Sequence, residues 1–161
     1  MIKTGMGQDS HRIQEPGQGK ALMLGGVRFA EAFALEGNSD SDVVLHAITN
    51  AISGVTGKPV LGPVADGLCK AGVTDSVAYL RLALADLSAI QYRLAHVSVA
   101  LECLRPKILP KLAELRTNLA ALLGLTVADI GLTATSGEGL TDFGKGLGIQ
   151  ALAVVTAQKL P

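Results

Sequence analysis

Residues 94–103, Leu-Ala-His-Val-Ser-Val-Ala-Leu-Glu-Cys, alternate between two kinds of side chain and set the architecture of the chain. Successive side chains of a β-strand point to opposite faces of its sheet. One set consists of Val97, Val99, Leu101 and Cys103, and the other of His96, Ser98, Ala100 and Glu102. The segment therefore predicts a strand with one buried face and one polar face.

Downstream of this strand, the sequence predicts one helix and two more strands. Pro106 to Pro110 turn the chain into the helix, and Gly124 suits its C-cap. The core stripe of the helix is Leu112, Leu115, Leu119 and Leu122. Residues 130–135 and 149–157 predict the two strands, and a glycine-rich polar loop joins them.

Upstream, apolar residues recur at helical spacing and predict a helix over residues 39–56. Ser39 is the predicted N-cap, with Asp42 as its capping-box partner. Asp42, His46 and Asn50 follow one another at intervals of four, so they form a polar stripe beside the apolar face. His46 is therefore expected at the edge of the apolar face of this helix.

The remaining segments are shorter. Residues 1–9 predict a first strand that delivers Asp9, and residues 21–29 predict a second strand or hairpin arm. Residues 56–72 contain six glycines and prolines and predict a long loop that moves. A further helix is expected after Asp75.

This order of elements predicts an α/β (α+β) sandwich. Helices alternate with strands, and two adjacent strands end the chain, so we expect a mixed sheet of four to five strands with helices on one face. A length of 161 residues suits a single domain over 1–161.

Composition limits the classes of partner and the compartment. Fourteen basic residues balance fourteen acidic ones, which argues against nonspecific binding to nucleic acid or to an anionic membrane. The hydrophobic share of 48% predicts apolar surface buried between subunits. Because residues 1–11 lack the apolar stretch of a signal peptide and Cys69 and Cys103 lack metal-ligand spacing, we expect a cytoplasmic protein with reduced thiols.

Asp9, His11 and His46 are candidate metal ligands. Asp9 and His11 lie two residues apart, which in an extended segment puts both on the same side. Together with His46 they would leave one open position on a tetrahedral Zn²⁺, as in catalytic zinc sites. From the residues alone, a surface aspartate beside a hydrogen-bonded histidine explains the same pattern.

Two segments are candidate anion sites. Residues 38–42, Asn-Ser-Asp-Ser-Asp, stand at a predicted helix start and offer backbone N–H groups and hydroxyls. Residues 135–138, Thr-Ser-Gly-Glu, offer similar groups in a turn, where Glu138 suits a hard divalent ion bound with phosphate oxygens. A solvated turn residue is the alternative interpretation of Glu138.

Four motifs, in order along nearly the whole chain, resemble those of the 2-C-methyl-D-erythritol 2,4-cyclodiphosphate synthases. They are Gly-Gln-Asp-Ser-His at 7–11, Asn-Ser-Asp-Ser-Asp-Val-Val-Leu-His-Ala at 38–47, Arg-Pro-Lys-Ile-Leu-Pro at 105–110 and Thr-Ala-Thr-Ser-Gly-Glu-Gly-Leu at 133–140. The resemblance implies an α/β homotrimer with active sites between subunits. It also implies a lyase of the non-mevalonate isoprenoid pathway, which converts 4-diphosphocytidyl-2-C-methyl-D-erythritol 2-phosphate into the cyclic diphosphate and CMP.

The resemblance also implies roles for particular residues. Zn²⁺ would be bound by Asp9, His11 and His46, and Mg²⁺ or Mn²⁺ by Glu138, while Asn38 and Ser136 would stabilise the transition state. The implied substrate-binding residues are Asp9, Ser10, His11, Asn38, Ser39, Gly62, Pro106, Lys107, Leu109, Thr135, Ser136, Gly137, Glu138 and Lys145.

The sequence departs from the family pattern at several of these positions. Asn38 replaces a histidine, Ser136 a threonine, and Lys145 stands where an arginine is usual. The family's Asp-Ile-Gly loop, whose aspartate holds ribose, aligns with residues 60–62, Val-Leu-Gly, so ribose recognition would shift to backbone or to Asp66. A zinc-dependent phosphoester hydrolase and a non-catalytic nucleotide-binding relative are the alternatives.

Overall fold

Seven strands form two sheets in a computed structural model that describes residues 1–161. The strands are β1 (Ile2–Gln14), β2 (Leu22–Leu24), β3 (Val27–Phe29), β4 (Ala34–Leu35), β5 (Tyr92–Glu102), β6 (Ile130–Thr135) and β7 (Gly148–Lys159). The main sheet has the order β4-β1-β7-β5-β6, and β2 and β3 form a separate hairpin. Only the β5–β6 pair is parallel, so the sheet is mixed, as predicted.

Four α-helices accompany the sheet. They are α1 (Val43–Thr56), α2 (Pro63–Lys70), α3 (Ser76–Ala89) and α4 (Leu112–Leu123). Helix α1 packs on β1 and β7, α3 packs on α1 and β5, and α4 packs on β6. Their apolar side chains join one cluster of 38 buried residues, and the predicted α/β sandwich is confirmed.

The alternation that predicts β5 is found in the structure. Val97, Val99 and Leu101 are buried beneath the helices, while Ser98 and Ala100 are exposed on the other face. Strand β7 lies between β5 and β1 and follows the same rule, since its odd-numbered residues from Ile149 to Ala157 are buried. The helix layer therefore covers one face of the sheet.

Helix α1 approaches β1 closely because β1 has glycines at the contact. A Cβ atom on Gly7 would overlap the backbone of Ala47 and Ala51, and one on Gly5 would overlap the carbonyl oxygen of Ala51. The absent side chains let the helix backbone lie directly against the strand. This contact brings His46 of α1 next to Asp9 of β1.

Two local predictions were wrong. Helix α1 begins at Val43, and Asp42, not Ser39, is its N-cap, because the Asp42 carboxylate accepts hydrogen bonds from the N–H groups of Val44 and Leu45. Segment 56–72 is not a continuous loop, because Pro63 begins the eight-residue helix α2 within it. Proline suits a first helical position, where its missing N–H group costs nothing.

No helix in the structure combines the length and the apolar character needed to cross a membrane.

Candidate active site

Asp9, His11 and His46 converge at one point between β1 and α1. Asp9 and His11 both point toward the helix layer because they lie two residues apart on β1. Asp9 Oδ2 lies 2.9 Å from His46 Nδ1 and 3.1 Å from His11 Nε2. One ligand atom from each residue falls within 4.8 Å of the others, so the three predicted metal ligands form a single cluster.

The polar atoms of this cluster are not satisfied by the protein alone. His11 Nε2 is buried and has no hydrogen-bond partner, although Asp9 Oδ2 is near. Burial acts to raise the pKa of Asp9, but the two imidazole rings beside it, those of His11 and His46, outweigh burial and lower this pKa to about 2. The cluster therefore combines an ionised carboxylate with a free imidazole nitrogen, and this donor set fits a divalent metal ion such as Zn²⁺.

The far side of the His46 ring contacts helix α3. His46 Nε2 lies 2.7 Å from the hydroxyl oxygen of Ser76, which is fully buried at the start of that helix. The Ser76 hydroxyl donates a short hydrogen bond to Asp40 Oδ1, and the Ser76 N–H group donates to Asp40 Oδ2 at 3.1 Å. His46 is thus held from both sides.

A cavity of about 300 Å³ opens onto the metal cluster. Besides the three candidate ligands, its lining includes Asn38, Ser39, Gly62, Asp66, Cys69 and Tyr79. Asn38, Ser39 and Gly62 were predicted from the sequence as substrate-binding residues. The structure places them beside the metal cluster, as a substrate site there requires.

A second depression, of about 170 Å³, lies at the ends of β5 and β6. Its lining includes the predicted Pro106, Lys107, Leu109, Thr135 and Ser136. These residues come from the turn after β5 and from the end of β6. They form the second of two groups of candidate site residues.

Residues 2–158 match the model of the YgbB family. The chain belongs to this family. The 2-C-methyl-D-erythritol 2,4-cyclodiphosphate synthase of Chlamydia trachomatis serovar L2b is 47% identical over 157 residues, which cover 97% of this chain and 88% of that protein. The synthase of Chlamydia muridarum is 44% identical over 160 residues, covering 99% of this chain and 89% of that protein.

Solved structures agree with this membership. The bifunctional IspDF from Campylobacter jejuni superposes with a TM-score of 0.90 at 28% identity, covering 99% of this chain and 43% of the longer one. A 2C-methyl-D-erythritol-2,4-cyclodiphosphate synthase in a CDP-bound form gives a TM-score of 0.84 at 31% identity, with coverages of 97% and 100%. The resemblance inferred from four sequence motifs is therefore confirmed.

Within one chain of this YgbB family member, the two groups of site residues stay apart. Asp9 pairs with Ala151, Ala151 with Leu101, and Leu101 with Ala134, so β1 and β6 are three strand spacings apart. At about 4.8 Å per spacing, the metal cluster and the Thr135 turn are separated by roughly 14 Å along this row. Both groups lie at the same end of the sheet.

Glu138 and Lys145 lie beyond β6, away from the metal cluster. Glu138 is exposed in a 3₁₀ turn, Gly137–Gly139, where its φ of 52° is left-handed. Gly137 has a φ of 70°, in the left-handed region that favours glycine. Lys145 Nζ lies 3.7 Å from Asp142 Oδ1.

Ser10, the remaining predicted contact, points away from Asp9. It lines a third depression, together with His11, Arg12, Asp142 and Phe143. Its neighbours in sequence face the helix layer, since side chains alternate along β1.

The first N–H groups of α1 are not free to bind the anion predicted at residues 38–42. The buried Asp42 carboxylate already accepts the N–H groups of Val44 and Leu45, as well as those of Gly25 and Gly26 in the hairpin turn. A second anion would meet a negative charge instead of free donors. Only the side chains and backbone of Asn38 and Ser39 remain available to the cavity.

Sequence reasoning missed three residues that shape the site, Lys20, Ser76 and Tyr79, and gave Asp40 only a place in an anion site. Lys20 Nζ donates to the carbonyl oxygens of Leu35 and Gly37 and to the Ser41 hydroxyl, so it holds the segment that leads to Asn38. Asp40 and Ser76 support His46, and Tyr79 lines the cavity. No spacing pattern marks these residues, because each contact joins segments far apart in the chain.

Proposed function

We propose that this chain converts 4-diphosphocytidyl-2-C-methyl-D-erythritol 2-phosphate into 2-C-methyl-D-erythritol 2,4-cyclodiphosphate and CMP, in the non-mevalonate pathway. The observation that carries the proposal is the convergence of Asp9, His11 and His46 at the cavity that also holds Asn38 and Ser39. The full-length similarity to synthases of this name supports the same reaction.

Zinc is the proposed ion of the metal cluster. One carboxylate and two imidazoles suit Zn²⁺ better than Mg²⁺, which prefers oxygen ligands. The unpartnered His11 Nε2 supports the assignment, because a bound cation would satisfy it. Glu138, an exposed carboxylate, is the proposed ligand of Mg²⁺ or Mn²⁺ that arrives with the diphosphate.

The reaction demands control of charge more than a reactive side chain. The 2-phosphate oxygen attacks the β-phosphorus, and the bond from that phosphorus to the CMP oxygen breaks, so no water is consumed. Two cations would supply neutralisation of the phosphates, which otherwise repel each other. Residues of the chain hold the two phosphates in line for attack, which is the main protein contribution to phosphoryl transfer.

Asn38 and Ser136 are the proposed residues that stabilise the transferring phosphate. Asn38 donates through its amide but carries no charge, so neutralisation depends more on the metals than it would with a histidine at this position. Ser136 lines the second depression, and its hydroxyl accepts a hydrogen bond from the N–H group of Glu138, the proposed Mg²⁺ ligand, at 3.4 Å. Lys145, close to the same turn, supplies a positive charge.

The nucleotide is proposed to bind in the second depression. Pro106, Lys107 and Leu109 line it and would hold the cytosine side, with Lys107 near the phosphates. Asp66 lines the metal cavity and takes the role of the missing loop aspartate toward ribose. The CDP-bound structure with 31% identity supports a cytidine nucleotide as the ligand.

A homotrimer with active sites between subunits reconciles the two separated groups. One chain holds the metal cluster and the nucleotide depression roughly three strand spacings apart, so a neighbour's depression would face each metal cluster. The uncovered sheet face supports such an assembly. Met6 is 73% exposed there, and Leu152 and Val154 on the central strand β7 are each 40% exposed. Apolar side chains on a central strand are normally covered.

Light scattering tests the assembly. The expected mass is three times the chain mass of 16.5 kDa. A monomer at assay concentration would remove the intersubunit site. The cytoplasmic location stays a prediction from the sequence.

The activity test supplies the diphosphocytidyl substrate with Zn²⁺ and Mg²⁺ and follows the products by phosphorus NMR. Cyclic diphosphate and CMP are expected in equal amounts. Asp9→Asn and His46→Ala should lose both zinc and activity, whereas Asp86→Asn, a surface carboxylate on α3 paired with Lys58, should keep both. Glu138→Gln should retain zinc and demand more Mg²⁺.

Other outcomes decide for the alternatives. A linear, water-derived phosphate product would identify a phosphoester hydrolase. Tight CMP binding without turnover would identify a non-catalytic nucleotide-binding protein. Full activity and full zinc content in His46→Ala would contradict the assignment of the metal site.

A further inference from the structure

The hydrogen bonds behind His46 leave only one consistent arrangement of protons. Asp40 faces three donors: the hydroxyl and N–H groups of Ser76 and the N–H group of Asp42. A carboxylate in such a position acts only as an acceptor. The single hydroxyl hydrogen of Ser76 therefore points to Asp40.

This arrangement determines which nitrogen of His46 carries a proton. With its hydrogen committed to Asp40, the Ser76 oxygen can only accept from His46 Nε2, 2.7 Å away. Nε2 then carries a proton, and in the neutral ring, the form that binds metal ions, Nδ1 is left with a lone pair. That lone pair points to Asp9 Oδ2 at 2.9 Å, which also carries lone pairs. In this tautomer two acceptors face the same point, and a metal ion bound between them would satisfy both.

We infer that Asp40 and Ser76 are positioning residues that hold His46 in the tautomer whose Nδ1 can bind the metal ion. The inference rests on the metal site of the proposed function. The remote hydrogen bond of a metal-binding histidine commonly fixes both its tautomer and its ring orientation. Here the acceptor is a buried hydroxyl, itself oriented by a carboxylate, at the start of the neighbouring helix.

The two residues should fail in different ways. In Ser76→Ala, Nε2–H loses its acceptor, so both the tautomer and the ring orientation become less restricted. In Asp40→Ala, the freed Ser76 hydroxyl can donate to Nε2, which favours the opposite tautomer. Nδ1–H would then donate to Asp9, and no lone pair would face the metal position.

The test measures zinc affinity and the His46 tautomer separately. Competition with a chromophoric chelator should show zinc affinity reduced roughly 10- to 100-fold in Ser76→Ala and in Asp40→Ala. Asp75→Ala is the matched control, because Asp75 caps the same helix through the Val77 N–H group but does not touch His46. It should bind zinc as the wild type does, and circular dichroism should show that all variants are folded.

Nitrogen-detected NMR of the histidine rings provides a readout that a merely structural role would not change. Wild-type His46 should show a protonated Nε2 in the metal-free and zinc-bound states, and metal-free Asp40→Ala should shift to a protonated Nδ1. Unchanged zinc affinity in both folded variants, or zinc bound to Nε2 in the wild type, would overturn the inference. If a variant does not fold, the wild-type spectra still decide. A wild type that binds no zinc would reject the metal assignment, while the metal-free spectra would still test the tautomer.

Discussion

Replacing Asp42 with alanine should destabilise the protein more than any ordinary loss of a helix cap. The carboxylate is fully buried and accepts four N–H groups: those of Val44 and Leu45 at 3.1 Å, Gly25 at 2.8 Å and Gly26 at 2.7 Å. The first two cap α1, and the last two attach the β2–β3 hairpin to it. One side chain therefore joins two elements at the start of the helix that carries His46.

The magnitude follows from those bonds. Loss of an N-cap costs about 1 kcal/mol. Each hairpin bond to a charged acceptor is worth about 1.5–3 kcal/mol. Burial raises the pKa of Asp42, with the amides of Gly26, Leu45 and Gly25 opposing it, so desolvation offsets part of the gain. We therefore expect the free energy of unfolding to fall by about 3 kcal/mol. This value lies between the cost of losing the cap alone and the sum of the cap and both hairpin bonds.

Urea unfolding of metal-free protein at one fixed concentration measures this loss, because bound metal or subunit association would add stability of its own. With an m-value of about 2 kcal/mol/M, the midpoint should fall by about 1.5 M at unchanged m. Asp75→Ala, which removes a single capping bond at α3, should cost only about 1 kcal/mol. Equal losses in the two variants would refute the reasoning that Asp42 joins the hairpin to the helix.

Two further predictions concern packing and thiol chemistry. Gly7→Ala should cost at least about 2 kcal/mol in urea unfolding, since its Cβ would overlap the backbone of α1. Gly54→Ala within α1 should be neutral or stabilising by up to about 1 kcal/mol, because the added Cβ would lie 3.6 Å from its nearest neighbour. Equal losses of stability in Gly7→Ala and Gly54→Ala would contradict the close contact at Gly7. Burial raises the pKa of Cys103 to about 11. The charge of Lys107 acts to lower this pKa, and that of Glu102 acts to raise it. The reactive thiolate of Cys103 is then scarce at about pH 8, so iodoacetamide should modify Cys69 and spare Cys103. Mass spectrometry of the labelled protein checks this, and equal labelling of the two cysteines would count against burial of Cys103.

The repeating patterns of the sequence predicted most of the fold. Alternation from Leu94 to Cys103 follows directly from the two-residue period of a strand, and the structure buries its Val97, Val99 and Leu101 face. Helical periodicity predicted α1, α3 and α4, although the N-cap of α1 was misassigned. Serine and aspartate both suit that position, and only the contact between Asp42 and the hairpin distinguishes them.

Helix α2 escaped prediction for a different reason. Its eight residues contain Gly67 and follow Gly62, so local propensity favours a loop there. Ala65 is buried, and its packing against the rest of the protein helps the short helix overcome that preference. Tertiary contacts, not the intrinsic tendency of the segment, decide its structure.

Patterns along the chain predicted the class of fold, the position of Asp9 and His11 on one side of a strand, and the motifs that place the chain in its family. These are local features, set by periods of two and of about 3.6 residues. Tertiary packing alone brings His46 to Asp9, sets Ser76 and Asp40 behind His46, and puts the depression lined by Pro106 and Lys107 three strands away. Such contacts depend on how strands order themselves and how helices pack, and no spacing along the chain encodes that arrangement.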